Sequence, residues 1–581
     1  MTPKAFPSPV QETVATIVNG YRAYRNDFQT ITARALERFV RCDWSGMQDD
    51  ALERLEAYQK VLTLVVADLD ALLGHQAAAP SFWEKAKAGM ARDIAQVTDP
   101  ELAETFFNSV VRRLANIIGA DPRLEFLHEA PRALPAPQAN RDFLTFPAAG
   151  HSLETLGRAL LHESPLAGYF RDIKQEARRM AAHLAPVYSQ ASVSGGTKDI
   201  DRLEMLPSPF FRGMGAYLIG RVVTHEGLIH PLAIALVSDH HGVRIDGLIS
   251  NTEGFRLLFS YTHSYFHVST DRIRPLLAFL HPLLPRRRLA ELYIAIGFNR
   301  HGKTELYRDL ARHQNACRDS FDISPGKPGM VMAVFNMPSD DLVFKVIRDH
   351  FAQPKHTTRR EVMAKYAYIF RHDRTGRLPD TQTFDHLKFG RGCFHPRLIR
   401  ELETTAARSV TIDGDDVTIL LAYVERRVQP LDLYLAEASP EAARAAVIDF
   451  GQAIKDLACS NLFPGDMLLK NFGVTGLGRV IFYDFDEVCP LTDCRFRCKP
   501  PAASYEDELA AEPWYYVAEN DIFPEEFENF LGLTGTLKTA FLEHHADLLG
   551  VDFWRRTQAE IRAGRPIHVY PYQRFVDLEP R

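Results

Sequence analysis

The sequence predicts an α+β protein of two units. Residues 1–319 form a mainly helical unit with a few strands, and residues 320–581 form a two-lobed unit, a small sheet-rich lobe on a larger helical one. Three observations predict this. Apolar residues in the first third recur at three- and four-residue steps, the spacing of helices that bury one face. From about residue 320 the order becomes strand pair, helix, strand pair, then helices. A chain of 581 residues is also too long for one hydrophobic core.

In chain order, Val14, Ile17, Val18 and Tyr21 share one helical face. Leu52, Leu55, Leu62, Val65, Val66, Leu69, Leu72 and Leu73 form a second, which Gly74 closes as a C-cap. Pro131, Pro135 and Pro137 interrupt the pattern, and residues 192–196 make a second, flexible break. Residues 232–237 and 243–248 read as strands around the turn Asp239-His240-His241-Gly242. In the second unit a turn-rich Ser324-Pro325-Gly326-Lys327-Pro328-Gly329 leads into a strand over 330–335. A Pro338-Ser339-Asp340 turn precedes a second strand over 342–347, and Val362, Tyr366 and Ile369 mark the next helix. Strands over 410–412 and 417–421 flank Asp413-Gly414-Asp415, a hairpin signal, and residues 431–457 are mostly helical. The cleft between two such lobes suits a small ligand.

Hydrophobic residues make up 46% and charged residues 24%, which excludes collagen-like, coiled-coil and mostly disordered classes. The net charge of −6 argues against a nucleic-acid partner. Seven cysteines are sparse for this length, and Cys489, Cys494 and Cys498 lack zinc-ligand spacing, so reduced thiols and a cytoplasmic location are expected. No uninterrupted apolar stretch reaches the ~18 residues of a membrane span, and the N-terminus has no signal-peptide core.

The chemistry concentrates near residue 470. Phe472-Gly473-Val474 and Val480-Ile481-Phe482-Tyr483 are short apolar arms around Thr475-Gly476-Leu477-Gly478, a hairpin that returns Asn471 and Asp484 to one place. An amide oxygen and a carboxylate are hard ligands apt for Mg²⁺, with phosphate oxygens completing the shell. Asp466, five residues before Asn471, is placed to orient a hydroxyl, and Lys470 to neutralise phosphate charge. Singly these residues read as strand ends and a turn cap; at this spacing they read as chemistry. Asp-x-x-x-x-Asn, a hairpin and Asp-Phe-x is the layout of the protein-kinase catalytic and metal loops, so the second unit is expected to be protein-kinase-like. It is a divergent version, with Asp486 where protein kinases have Gly and Pro464-Gly465 where they have His-Arg.

Lys345 sits inside the apolar strand Val343-Phe344-Lys345-Val346-Ile347, where an ammonium needs a partner such as ATP phosphate; the alternative is a snorkelling edge-strand lysine. Glu361 on the following helix is the natural carboxylate to hold Lys345, with an exposed pair to Lys365 almost as good. Gly326 and Gly329 stand where a phosphate-covering loop belongs, although no Walker A signature follows.

The stretches Ser324 through Met332, Val343 through Ile347, His372-Asp373-Arg374 through Asp380-Thr381-Gln382, Gly465 through Gly473 and Asp484-Phe485-Asp486-Glu487 resemble isocitrate dehydrogenase kinase/phosphatase. Gly20-Tyr21 through Phe28 and Gly254-Phe255-Arg256 extend that resemblance over the N-terminal half. The resemblance implies a bifunctional bacterial enzyme. Its kinase-like domain phosphorylates a serine of NADP-dependent isocitrate dehydrogenase and removes that phosphate, switching flux between the citric acid cycle and the glyoxylate bypass. It further implies a regulatory N-terminal domain responsive to AMP and other metabolites, and admits a homodimer. Carried over by position, Ser324, Pro325, Gly326, Lys327, Pro328, Gly329 and Met330 match the ATP loop and Lys345 the ATP-contacting lysine. Asp466 matches the kinase base, Asn471 and Asp484 the metal ligands, and Asp380 the aspartate of the phosphatase reaction. Without the resemblance, Asp380 before Thr-Gln-Thr-Phe reads as a helix N-cap.

The 500–537 segment has no Lys or Arg and carries Glu506, Asp507, Glu508, Glu512, Glu519, Asp521, Glu525, Glu526 and Glu528. It reads equally as a docking surface for a basic partner or as a solvated acidic face. Two other functions remain open at this level: a small-molecule kinase on the same fold, and a nucleotide-regulated, pseudokinase-like binding module. The joint presence of Lys345, Asp466, Asn471 and Asp484 argues against the latter.

Overall fold

The computed structural model describes residues 7–575 except 96, 98, 116–120, 128–131, 190–199, 261–264, 317–318, 326–328, 354, 356, 373, 502–514, 566–568 and 573. The first unit opens with α1 (Pro9–Val40), α2 (Trp44–Leu73), α3 (Pro80–Asp93) and α4 (Pro100–Leu114). The predicted α1 face is buried, with Val14, Ile17, Val18 and Tyr21 packing with Leu62, Val65 and Leu69 of α2 and Phe106 of α4. Of the predicted α2 face, Leu52, Leu55 and Leu72 are exposed instead, because the stripe facing α1 and α4 runs through Leu62, Val65, Leu69 and Leu73. Gly20 permits this approach, because a Cβ there would stand 2.3 Å from Val65 Cγ2. Gly74 caps α2 with a φ of 49°. The stretch Trp44–Ala78 is long and apolar enough to cross a membrane by length and composition alone. Here its apolar face fills the α1–α4 core.

The strands of the first unit exceed the two read from sequence. β1 (Leu144–Pro147), β2 (Ile200–Met205), β3 (Phe210–Arg212), β4 (Gly215–Thr224), β5 (Ile229–Asp239) and β6 (Gly242–Ile249) form an antiparallel sheet in the order β1-β2-β4-β5-β6, with β3 also on β4. Both faces are covered, as the alternation on β4 shows. Ala216 and Leu218 meet α5 (Leu153–Glu163) and α6 (Ile173–Ser189), while Tyr217 and Ile219 join the helical core. With both faces apolar, the polar/apolar alternation that signals a strand is lost. α7 (Thr252–Leu258), α8 (Ile273–Leu280), α9 (Leu289–Ala295) and α10 (Asn299–Ala316) follow.

The small lobe of the second unit is a sheet ordered β10-β12-β9-β8-β7, with β11 also on β12. Its strands are β7 (Asp322–Ile323), β8 (Met332–Asn336), β9 (Leu342–Ile347), β10 (Gln382–Gly390), β11 (Val410–Asp413) and β12 (Asp416–Arg426). Phe335, Phe344 and Val346 on one face pack against Leu306 and Leu310 of α10, so the first unit supplies part of the small lobe's core. α11 (Arg359–His372) buries Val362, Tyr366 and Ile369 against the other face, and α12 (Pro396–Thr405) covers the sheet beside α10. The larger lobe begins with α13 (Leu431–Glu437) and α14 (Pro440–Cys459) and carries the hairpin Phe472–Val474 with Val480–Phe482. The chain is thus α+β, a helical N-terminal region followed by a sheet-containing two-lobed unit.

Candidate active site

Lys345 is held on the cleft face of β9 by alternation, since Phe344 and Val346 point the other way into the α10-covered core. It is 6% exposed. Its carboxylate partner is Glu425 of β12, at 2.5 Å, and not Glu361. The β9–β12 register explains this: Tyr423 lies directly opposite Lys345, which puts Glu425, two residues on, on the same face. The Lys345 ammonium also donates to the Tyr483 carbonyl (2.9 Å) and lies 5.1 Å from the Tyr483 ring centroid and 5.8 Å from that of Phe485. The second Glu425 oxygen accepts from Thr381 Oγ1 at 3.0 Å.

Glu361 is drawn elsewhere. Its carboxylate accepts from the Thr358 N–H (2.8 Å) and Thr357 Oγ1 (3.2 Å), and Thr358 Oγ1 accepts from the Glu361 N–H. This is a capping box on α11, and the backbone bond from Thr358 is the main cause that holds the Glu361 carboxyl below its usual range. Neither sequence alternative for Glu361 forms; Lys365 donates to the Asp486 carbonyl instead.

The hairpin behaves as its glycines require. Phe472 pairs with Phe482 and Val474 with Val480, and Gly478 takes a φ of 73° in the turn. The Tyr483 N–H donates to the Asn471 carbonyl (3.1 Å), which brings Asp484 out beside Asn471. The Asn471 side chain is buried, and its amide nitrogen donates to the Asp466 carbonyl at 3.3 Å, leaving the amide oxygen free to ligate. Asp466 Oδ1 accepts from the Leu468 N–H (3.0 Å), so this residue shapes its turn as well as facing the cleft loop. Gly465 is needed twice over: its φ is 77°, and a Cβ would lie 2.6 Å from the Glu487 carbonyl oxygen. The loop carrying Asp466 thereby lies directly against the segment carrying Asp484. The oxygen donors of Asn471 and Asp484 fit a hard divalent cation.

Asp486, which the sequence marked only as standing where protein kinases have Gly, lies beside Asp484 with a perturbed carboxyl. Burial, and then the adjacent Asp484 charge, push its carboxyl up to about 7, against the pull of Lys355, Lys345 and Lys365. Lys355 pairs with Glu487 at 2.6 Å. Phe485 is buried against Tyr366 of α11 (ring centroids 5.0 Å apart), and Tyr366 stacks on Tyr423 at 3.8 Å.

Asp380 lies two residues before the start of β10, so the helix that the N-cap reading required is a strand. Burial raises its carboxyl to about 6, and Glu291 adds to the rise. The Gln382 amide donating at 2.7 Å opposes it, as do Arg287 and Arg426. Asp380 therefore sits on the side of the cleft facing the first unit, joined to Lys345 through Thr381 and Glu425. Here Arg426 pairs with Glu291 (2.6 Å) and Arg288 with Asp340 (2.5 Å), tying the segment at and before α9 to the small lobe. Among the described residues Asp380 has no bond to Asp466 or Asp484.

In the loop, Ser324 Oγ donates to Asn336 Oδ1 (2.8 Å) and the Gly329 carbonyl accepts from Arg348 Nε (3.1 Å). Pro325 is exposed and Met330 half-buried, while Gly326, Lys327 and Pro328 lie outside the described residues. Lys470 is exposed, without an ion-pair partner among the described residues, and its carbonyl accepts from the Tyr483 hydroxyl. Arg377, also missed by sequence reasoning, anchors the hairpin of Phe472–Val474 and Val480–Phe482 to α14. It donates to Asp456 (2.7 Å), to both oxygens of Asp449 (2.7 and 2.8 Å) and to the Val480 carbonyl (2.9 Å). An isolated Arg followed by Leu-Pro, with Asp at i and i+7 of a later helix, was the only signal.

Of the acidic segment, Glu506, Asp507, Glu508 and Glu512 lie outside the described residues. Asp521 pairs with Arg497, Glu526 with Lys499 and Glu528 with Lys538, so flanking bases neutralise part of the remainder.

Comparison with known proteins covers residues 14–574. Residues 319–574 match the model of the isocitrate dehydrogenase kinase/phosphatase (AceK) kinase domain, and residues 14–318 that of the regulatory domain of the same family. Curated relatives named isocitrate dehydrogenase kinase/phosphatase include one from Anaeromyxobacter sp. (strain Fw109-5), 44% identical over 96% of both chains. Another, from Xanthomonas campestris pv. campestris (strain 8004), is 39% identical over 94% of both. A third, from Serratia proteamaculans (strain 568), is 36% identical over 96% of this chain and 95% of its own.

Proposed function

The chain belongs to the isocitrate dehydrogenase kinase/phosphatase family, and from that premise we propose that one cleft both phosphorylates a serine of isocitrate dehydrogenase with ATP and hydrolyses the phosphoserine. The observation that carries this reading is the meeting of three groups. A buried ammonium, Lys345, lies over the segment whose Asp484 emerges beside Asn471, with the Asp466 loop pressed against that segment through Gly465.

In the forward reaction Lys345 binds nucleotide phosphate and Asp466 accepts the serine proton as the hydroxyl oxygen attacks the γ-phosphorus, releasing ADP. Lys470 offsets charge on the transferred group. Asn471 and Asp484 would hold Mg²⁺, which neutralises phosphate charge when bound. In the hydrolytic direction Asp380 takes a proton from water as the water oxygen attacks the phosphorus. The phosphorus–serine oxygen bond breaks, the departing oxygen takes up a proton from solvent, and free serine and inorganic phosphate result. A carboxyl near 6 is ionised at neutral pH, the form this role requires.

Residues 1–319 act as the regulatory unit and 320–581 as the catalytic one, with AMP and other metabolites acting on the former. The support is physical: α10 forms part of the small-lobe core, and Glu291 reaches Arg426 and the surroundings of Asp380. A change in the first unit therefore has a direct route to the side of the cleft assigned to dephosphorylation. By setting the phosphorylation state of the dehydrogenase, the enzyme divides isocitrate between the citric acid cycle and the glyoxylate bypass. The test is transfer of γ-labelled phosphate from ATP, with Mg²⁺, to purified isocitrate dehydrogenase. Label on a dehydrogenase serine supports the reading, and label only on small metabolites overturns it.

A further inference from the structure

Behind the cleft, where β9 runs into α11, lies a cavity of about 350 Å³. Its walls include Arg348, Asp349, Lys355, Thr358, Arg359 and Arg408, four cations against one carboxylate. The carboxylate is already engaged, since Asp349 accepts the Arg408 backbone N–H at 3.2 Å. Arg359 is fixed by donating to Ser409 Oγ at 2.5 Å. Arg348 pairs with Glu401 (2.8 Å) and Lys355 with Glu487 (2.6 Å), whereas Arg359 and the exposed Arg408 have no carboxylate at ion-pair distance among the described residues. Arg359 and Arg408 thus leave positive charge at the edge of a concave space that a bound anion would offset. Arginine forks with a threonine hydroxyl match phosphate oxygens in geometry and in sign.

We propose that this cavity binds a phosphate dianion, free or as the monoester of a small molecule, at a site separate from the nucleotide cleft. Two of its cations reach the catalytic apparatus. Arg348 Nε donates to the Gly329 (3.1 Å) and Met332 (3.2 Å) carbonyls and so braces the end of the phosphate-covering loop. Lys355 pairs with Glu487, three residues beyond Asp484. A bound anion competes with Glu487 for Lys355, and with Glu401 (2.8 Å) and the loop carbonyls for Arg348. Occupancy is therefore coupled to nucleotide affinity, and by linkage nucleotide alters phosphate affinity by the same factor.

The test needs no assay of the reaction, so its failure is distinct from failure of the proposed activity. The full chain, its cleft filled with a non-hydrolysable ATP analogue, is titrated calorimetrically with inorganic phosphate at constant ionic strength. One equivalent should bind saturably. Arg408→Ala should weaken that binding by about ten- to a hundredfold, the worth of a charge-assisted contact, and Arg408→Lys should recover part of it. Nucleotide affinity without phosphate should be the same in both variants. Competition by O-phosphoserine assigns a monoester as occupant, whereas phosphate binding without that competition assigns the free anion. Heat of dilution alone, or wild-type phosphate affinity in Arg408→Ala, overturns the site.

Discussion

Replacing Glu425 with Gln tests the least expected contact of the cleft. The Lys345 and Glu425 side chains are 8% and 4% exposed, so the pair is shielded from water. Removing one member of a buried pair typically costs about 3–5 kcal/mol, because the other charge is left uncompensated. Here the loss is smaller. Lys345 keeps its bond to the Tyr483 carbonyl and its position over two rings, and the Gln amide oxygen can still accept one hydrogen bond. About 2–3 kcal/mol remains. Urea unfolding of the nucleotide-free chain, read on the transition that includes the small lobe, measures it. Lys345→Met and the double variant close a cycle whose coupling should be about 2 kcal/mol. ATP phosphates should take over the uncovered ammonium, so saturating ATP should stabilise Glu425→Gln more than wild type. Glu361→Gln should leave the cleft transition and ATP binding unchanged, since Glu361 caps an exposed helix end. Additive single effects within ~0.5 kcal/mol would refute the pairing argument.

Asp380→Asn should lower phosphatase activity by about 10²–10⁴-fold, with far less effect on phosphorylation; equal losses in both assays would remove Asp380 from the water-activating role. Wild-type phosphatase activity should also fall as pH drops through about 6, where the Asp380 carboxylate takes up a proton. Because its folded-state value is raised, Asp380 stabilises the fold when protonated and loses that contribution as pH rises through about 6. The Asn variant should therefore unfold no earlier than wild type at pH 7.5, which separates lost chemistry from lost structure. Asn471→Ala and Asp484→Ala should each abolish Mg²⁺-dependent transfer, and wild-type rates across a Mg²⁺ series would contradict the hairpin argument. Arg377→Ala should destabilise the larger lobe by about 3–5 kcal/mol, since it leaves the Asp449 and Asp456 carboxylates without their shared guanidinium; thermal unfolding measures this, and an unchanged midpoint would refute it.

What the sequence made legible was local. The strand at 342–347 and the hairpin after Asn471 follow from apolar arms and turn glycines, and Lys345 stood out as a lone charge in an apolar run. The helical face of α1 was readable because it buries one stripe, whereas on α2 the three- and four-residue spacing also swept in Leu52, Leu55 and Leu72, which stay exposed. What escaped depends on distant parts of the chain. Glu425 meets Lys345 through a strand register between segments some 80 residues apart, which no local pattern encodes. Glu361 followed the opposite rule, a local cap overriding a distant partner. β10 hid because its alternation breaks at Asp385 and His386, both exposed, with His386 at a φ of 56°. That break is also why Asp380 read as a helix cap.

The most direct measurement compares wild type and Asp484→Ala in both directions on isocitrate dehydrogenase: incorporation of label from ATP, and release of label from the phosphorylated dehydrogenase. If one cleft serves both reactions, the wild type performs both and the single substitution removes both together. Full release of phosphate by Asp484→Ala alongside lost incorporation would contradict a shared site.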